Sequence, residues 1–174
     1  METQSGRKDF FTSHGDYDIY NHNYMINTGK LKEGYNVWWG YEDQKLFKFA
    51  KEKLTEISKE DEPFNFTILT ADTHFTDGYM DKTCKNVFDI KYANSFYCSD
   101  TKLNDFIKWI KKQDFYENTT IVITGDHLTM QAGFYDDNQT EKIYNDNFVP
   151  IRKRYKVEDI DSNVHSENKI RTSI

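Results

Sequence analysis

The chain has 174 residues, of which 30% are charged and 16% are aromatic, and its formal net charge at pH 7 is -6. This length suits one domain with a single core, and the many large rings argue against disorder. The acidic charge argues against a nucleic-acid or anionic-membrane surface, because dense lysine and arginine bind those partners. An anionic substrate would therefore need a local site.

Targeting signals are missing from the sequence as it stands. No apolar run approaches the roughly 20 residues of a membrane helix, and the residues after Met1 lack the apolar core of a signal peptide. Cys84 and Cys98 do not have the spacing of zinc ligands. A disulfide and two buried thiols are equally compatible with this pair.

The first half of the chain begins with polar segments, and apolar residues at regular spacing follow them. Apolar side chains recur at helical spacing over residues 43–59, which predicts an amphipathic helix. Residues 64–70 predict a strand that becomes apolar on both faces. From about residue 86 to 112 the pattern is helical again, and we expect two helices that meet near Ser99 and Asp100.

Residues 119–124 are β-branched throughout and give the clearest strand signal in the chain. Helix, strand, helices and strand in this order predict parallel strands joined by helical crossovers. We therefore expect an α/β layered domain over residues 1–145, with a mostly parallel sheet flanked by helices. Residues 146–174 lose the periodicity, and we expect a weakly structured tail.

Three of the five histidines come directly after short apolar runs. In open parallel sheets, ligands bind at the carboxyl ends of the strands, so residues just beyond separate strands can converge. We expect a polar pocket formed by these histidines and two neighbouring aspartates: His14, Asp72, His74, Asp126 and His127.

Asp126 and His127 place a carboxylate oxygen and an imidazole nitrogen side by side, a pairing that suits Mn²⁺ or Zn²⁺ better than Ca²⁺ or Mg²⁺ alone. Gly125 would let the backbone turn so that both side chains face one ion. The same residues could instead form only a turn and a helix cap with Thr129. The residues alone leave both interpretations open.

The remaining aromatic and histidine side chains have simpler predicted roles. Trp38 and Trp39 precede the first predicted amphipathic helix, and we expect both to pack. His22 and His165 lie in polar surroundings, and we expect them at the surface. The sequence has no nucleophile elbow, phosphate loop or dinucleotide fingerprint, which argues against serine hydrolases, P-loop enzymes and Rossmann oxidoreductases.

Three motifs, in their order along the chain, carry a family resemblance. They are Trp39-Gly40-Tyr41-Glu42-Asp43, Leu69-Thr70-Ala71-Asp72-Thr73-His74-Phe75, and Ile121-Val122-Ile123-Thr124-Gly125-Asp126-His127-Leu128-Thr129-Met130. The chain resembles the sulfatase-like phosphoglycerol transferases, the group that includes lipoteichoic acid synthase, within the alkaline phosphatase superfamily. The resemblance covers about residues 7–144 and implies part of an alkaline-phosphatase-like or sulfatase-like α/β domain.

Members of this family are membrane-anchored, with the catalytic domain outside the cell. They use a threonine nucleophile and a divalent ion to transfer glycerol phosphate from phosphatidylglycerol to a cell-envelope glycan or polymer. The resemblance implies that Asp126 and His127 are metal ligands and that His74 and His14 bind substrate. It implies Mn²⁺ as the ion, with Zn²⁺ or Mg²⁺ as alternatives, and an extracellular location would favour a Cys84–Cys98 bridge.

The sequence also departs from the family. The threonine nucleophile and an acidic metal ligand belong to segments upstream of the motifs present, so we expect a carboxyl-terminal fragment that is inactive alone. Residues 18–23 stand where relatives carry a substrate-binding Trp and Arg, which leaves a related lipid or glycan substrate open. A truncated or frame-shifted gene would explain both ends. The alternatives are a non-catalytic metal-binding or phosphate-binding module and a degenerate inactive gene product.

Overall fold

A computed structural model describes residues 7–15, 17–125, 129–131, 134 and 170–171. Its helices are α1 (Arg7–Gly15), α2 (His22–Asn27), α3 (Asp43–Ile57) and α4 (Lys91–Ile110), and a 3₁₀ turn follows at Asp114–Asn118. Strand β1 (Ile121–Val122) pairs in parallel with β2 (Ile170–Arg171). Among the described residues no helix is both long and apolar enough to cross a membrane.

The parallel pairing of β1 and β2 agrees with the α/β class expected from the sequence. Within the described ranges it is the only sheet, and it has two strands. A larger, mostly parallel sheet therefore stays a prediction. Strand β2 falls inside residues 146–174, and the other residues of that segment lie outside the part of the chain that the structure describes.

Helix α3 forms where the sequence predicts it. The chain is extended at Glu42, and Asp43 stands in the first turn, where a carboxylate interacts favourably with the helix dipole. Phe47, Ala50 and Leu54 recur on one face and are buried. The predicted amphipathic helix is thus confirmed, and it ends at Ile57.

Helix α4 is continuous through Ser99 and Asp100, so the expectation of two helices meeting there was wrong. Ser99 caps no new helix because its side chain is buried, and its hydroxyl donates to the Asp43 carboxylate at 3.0 Å. The helix also begins at Lys91, later than predicted. The chain before it is held by Asn94, whose amide oxygen accepts the backbone N–H groups of residues 87 and 88.

The main core lies between α3, α4 and residues 64–70. Its centre is the contact between Phe47 and Phe106, whose ring centroids are 4.9 Å apart. Residues 64–70 are not assigned as a strand, but their burial alternates as in an extended segment with one face on the core. Leu69 is 38% exposed on the other face, so that face, although apolar as predicted, is only partly covered.

A disulfide joins Cys84 to Cys98, with the two Cα atoms 5.2 Å apart. Cys98 lies in α4, and Cys84 lies in the irregular segment that leads into that helix. The bridge therefore ties this segment to α4, and it decides between the two interpretations that the sequence left open.

Candidate functional site

His74 lies in a compact loop, residues 71–79, that follows the extended segment 64–70. Three backbone hydrogen bonds close this loop: His74 N–H to Ala71 O, Gly78 N–H to His74 O, and Tyr79 N–H to Asp72 O. Gly78 has a φ of 63°, and a Cβ there would overlap the Ser95 hydroxyl on α4. Glycine is therefore required for the loop to pack against α4.

Asp72 and Asp43 anchor this loop by bonding to each other's backbone. An Asp72 oxygen accepts the Asp43 N–H at 3.1 Å, and an Asp43 oxygen accepts the Ala71 N–H at 2.9 Å. The other Asp72 oxygen accepts from Lys102 Nζ at 2.9 Å. Asp72 is 1% exposed, so its expected place in an open pocket was wrong. Through these hydrogen bonds, the buried Asp72 side chain fixes the position of the loop.

Burial and the charges around Lys102 shift the pKa values of the carboxylates in this anchor. Burial and the nearby Asp72 charge raise the pKa of Asp43 to about 6, and burial raises the pKa of Asp72 as well. Lys102 also pairs with Asp81 at 2.8 Å. Burial acts to raise the pKa of Asp81, but the hydrogen bonds from Lys102 and Thr83 together outweigh it and hold that pKa below its ordinary value. Lys102 thus pairs with two of the three carboxylates, Asp72 and Asp81.

The His74 side chain has one engaged and one open nitrogen. Nδ1 lies 2.6 Å from Phe75 O, and because a carbonyl oxygen only accepts, Nδ1 must carry the proton. Nε2 has no partner among the described residues. The ring is half-buried, and its centroid lies 4.2 Å from that of Trp39.

Trp39 reaches His74 from a tight turn in which Val37 and Gly40 exchange two backbone hydrogen bonds of 3.0 Å. Trp38 occupies this turn with a φ of 55°, a conformation that costs a bulky residue about 1–3 kcal/mol. Its indole Nε1 donates to Ala71 O at 2.9 Å, which holds the turn on the His74 loop. Trp38 is half-buried as expected, whereas Trp39 packs its ring on His74 but stays 42% exposed.

Residues 129–131 are joined to the His74 loop by two sets of contacts. Asp77 N–H donates to Gln131 Oε1 and Gln131 Nε2 donates to Asp77 Oδ1, both at 2.7 Å. The Tyr92 hydroxyl donates to Thr73 O at 3.0 Å and lies 2.6 Å from Thr129 Oγ1. The chain just beyond residues 126–128 is therefore held at the loop that carries His74, as convergence of the two segments requires.

Asp126 and His127, the predicted metal ligands, lie outside the described residues, although Gly125 and Thr129 on either side are described. In the part of the chain that is described, no group of three His, Cys, Asp or Glu side chains could hold a metal ion. The described residues alone do not supply a ligand set, and the metal site stays a prediction.

Two other histidines lie in the first two helices. His14 lies in the last turn of α1, exposed, with Nδ1 2.9 Å from Ser13 Oγ, and no contact between described residues brings it to His74. His22 was expected at the surface but is half-buried, and its Nε2 hydrogen-bonds to Tyr35 O. Its ring also stacks on Tyr41. His165 lies outside the described residues.

Sequence reasoning missed three residues that organise the site: Tyr92, Lys102 and Gln131. Lys102 gave a usable signal, because it lies in register with Phe106 and Ile110 on the apolar face of α4. Tyr92 and Gln131 gave none, since their partners are distant in sequence.

Comparison with known proteins gave consistent matches. The sulfatase family profile matches residues 2–172. Phosphoglycerol transferase I of Xanthomonas campestris pv. campestris (strain B100) is 32% identical over 138 residues, which are 76% of this chain and 20% of that protein. Phosphoglycerol transferase I of Citrobacter koseri is 33% identical over 132 residues, 72% of this chain and 17% of that protein. The chain thus spans about a fifth of these relatives. No solved structure matches it.

Proposed function

We infer a function from one premise: the chain belongs to the sulfatase family, in the group of sulfatase-like phosphoglycerol transferases. This family has an alkaline-phosphatase-like α/β fold. We propose that the chain carries the substrate-facing loop and the metal-binding segment of a site that transfers glycerol phosphate. Because the chain spans about a fifth of its relatives, the whole activity is part of this proposal.

The double connection between the His74 loop and residues 129–131 supports the proposal most directly. The Asp77–Gln131 pair and the Tyr92 hydroxyl hold the end of the Asp126-His127 segment against the loop. A phosphoryl-transfer site needs a metal and substrate-binding groups at one place, because positioning supplies much of the catalysis. The described contacts of residues 129–131 with the loop support such an arrangement.

His74 is the proposed contact for the substrate. Since Nδ1–H is given to Phe75 O, Nε2 is the nitrogen left for a ligand. It can accept from a glycerol hydroxyl when the ring is neutral, or donate to a phosphoryl oxygen when the ring is protonated. His14 is proposed as a second substrate-side histidine from the family resemblance.

Asp126 and His127 are the proposed ligands of a divalent ion, expected to be Mn²⁺, with Zn²⁺ or Mg²⁺ as alternatives. When bound, such an ion offsets negative charge on the transferred phosphoryl group. The contribution of this chain is to hold the two ligands on a segment fixed at Thr129 and Gln131.

The proposed donor is phosphatidylglycerol, and the proposed acceptor is a cell-envelope glycan or polymer, both from the family resemblance. We propose that the domain works outside the cytoplasmic membrane. The Cys84–Cys98 disulfide supports this location, because disulfides persist in oxidising compartments and are rare in the cytosol.

Calorimetry on the full chain tests the proposal. We expect Mn²⁺ to bind, with affinity falling roughly 100-fold or more in Asp126→Ala and in His127→Ala, since even outer-shell changes cost tenfold or more. With Mn²⁺ present, glycerol phosphate should bind to the unchanged chain and not to His74→Ala, which should still bind the metal.

Asp105→Ala is the matched control, because Asp105 is an exposed carboxylate on α4. This substitution should leave the affinities for Mn²⁺ and for glycerol phosphate unchanged. Equal Mn²⁺ affinity in the unchanged chain and both ligand variants, or equal glycerol phosphate affinity in His74→Ala, would refute the proposal.

A further inference from the structure

We propose that Trp39, His74 and Phe75 form an aromatic platform that binds a sugar ring of the glycan acceptor, with Trp39 as the residue that selects it. This inference rests on the proposed function, since it assigns a place and a selecting residue to the acceptor. The aromatic platform is the row of these three rings at the rim of the His74 loop.

The three rings lie in sequence at contact distances. The centroid of His74 is 4.2 Å from that of Trp39 and 6.0 Å from that of Phe75. Trp39 and Phe75 are each 42% exposed, so the imidazole stands between two rings that water reaches. The His74 ring is tilted by 44° to Trp39 and by 42° to Phe75, so the rings form angled apolar faces, and a ring-shaped ligand can stack on the exposed part of Trp39 beside His74.

The exposure of Trp39 is imposed by the neighbouring structure. Its turn is held in place by the Trp38 indole, which donates to Ala71 O, and Trp38 keeps a positive φ that bulky residues rarely adopt. Strained backbone persists only where the surrounding structure holds it, and it is concentrated at ligand clamps. The turn therefore presents Trp39 to the solvent beside His74.

Two polar atoms accompany the aromatic faces. Trp39 Nε1–H and His74 Nε2 both lack a partner among the described residues, while the equivalent indole nitrogen of Trp38 is engaged. A sugar ring has an apolar C–H face for stacking and hydroxyl groups that can accept from the indole and bond to the imidazole. An acyl chain would cover the rings and leave both polar atoms unpaired, at a cost. The combination favours a sugar.

The test is an NMR titration of the full chain with cellotetraose, a neutral glucose oligosaccharide, observing the indole Nε1–H signals. We expect the Trp39 signal to shift. The Trp38 signal should stay in place because its N–H is bonded within the protein, and it serves as an internal control.

Substitutions then test the role of the ring. Trp39→Ala should weaken cellotetraose binding roughly fivefold, the scale of one aromatic contact, and Trp39→Phe should retain most of it. Tyr97→Ala, which removes an exposed ring elsewhere on α4, should have no effect. Equal melting temperatures would show that the variants are folded.

Three outcomes would overturn the platform. The first is an unchanged affinity of Trp39→Ala for cellotetraose. The others are a Trp39 indole signal that shifts with octyl phosphate but not with cellotetraose, and indole signals of Trp38 and Trp39 that shift together. His74-dependent glycerol phosphate binding without cellotetraose binding would also overturn it while leaving the proposed function intact. Cellotetraose binding that depends on Trp39, in a chain that binds no glycerol phosphate, would support the platform and contradict the proposed function.

Discussion

At the scale of single residues, Asp43 and Asp72 determine where the His74 loop lies. Each carboxylate accepts a backbone N–H from the segment that carries the other, so the start of α3 and the loop hold one another. The sequence could not show which way the Asp72 side chain turns, so its expected place in the pocket with His74 was wrong. A carboxylate that bonds to the backbone and one that faces a pocket have the same local sequence.

Asp43→Ala should lower the free energy of unfolding by about 3 kcal/mol, because it leaves buried N–H groups and the Ser99 hydroxyl without an acceptor. Urea denaturation at neutral pH measures this change. Asp105→Ala, at an exposed position of α4, should change the same quantity by less than about 0.5 kcal/mol. A similarly small effect of Asp43→Ala would show that these bonds contribute little.

The raised pKa of Asp43 predicts a pH dependence with a definite sign. Its pKa is about 6 in the folded chain and 3.8 in an unperturbed aspartate, so the folded chain binds this proton more tightly. The part of the stability that comes from the proton on Asp43 is then fully present below pH 3.8 and is lost as the pH rises through about 6, whereas the contribution of the hydrogen bonds that its carboxylate accepts is measured separately at neutral pH. Asp43→Asn should lack this loss when unfolding is measured from pH 4 to 7. A free energy of unfolding that rises with pH in the unchanged chain relative to Asp43→Asn would contradict the raised pKa of Asp43.

At the scale of elements, α4 is the part on which the site is built. Lys102 bonds to Asp72, Tyr92 bonds to both segments of the site, and Cys98 holds the chain that leads into the helix. The sequence predicted α3 well because its apolar residues follow one helical stripe. It predicted a break in α4 because Ser and Asp favour helix starts, and it could not show that Ser99 has a buried partner in Asp43.

Loss of the disulfide should destabilise the chain by about 3 kcal/mol, the value expected for a loop of this length. We expect reduction by dithiothreitol to lower the melting temperature of the unchanged chain. The double variant Cys84→Ser/Cys98→Ser is the matched control, since it should melt at the lower temperature with or without the reductant. Reduction that leaves the unchanged chain's melting temperature unaltered would mean that the bridge does not constrain the fold.

At the scale of the whole molecule, two segments far apart in sequence meet at one place. The position of histidines after apolar runs predicts that the His74 loop and the Asp126-His127 segment converge, because strand ends in open sheets lie along one edge. Asp126 and His127 lie outside the described residues, so this stays a prediction, and the described contact is between the loop and residues 129–131. The pairs that hold them, Asp77 with Gln131 and Tyr92 with Thr129, could not be predicted. Such long-range hydrogen bonds leave no local pattern in a sequence.

Tyr92→Phe should loosen this connection without disturbing the core, because it removes the hydroxyl and keeps the buried ring. We expect amide hydrogen exchange at residues 129–131 to accelerate roughly fivefold, the equivalent of one net hydrogen bond of about 1 kcal/mol. Exchange within α3 should be unchanged and serves as the control. Equal exchange at residues 129–131 would show that the Tyr92 hydroxyl does not hold this segment.

The most direct test of the central claim is where Mn²⁺ binds relative to His74. In the full chain, paramagnetic broadening by substoichiometric Mn²⁺ should remove the His74 ring signals in NMR spectra. The combined variant Asp126→Ala/His127→Ala should restore them, because the ion would lose its two proposed ligands. His74 signals that remain sharp with bound Mn²⁺, or broadening that persists in the combined variant, would contradict a shared site for these segments.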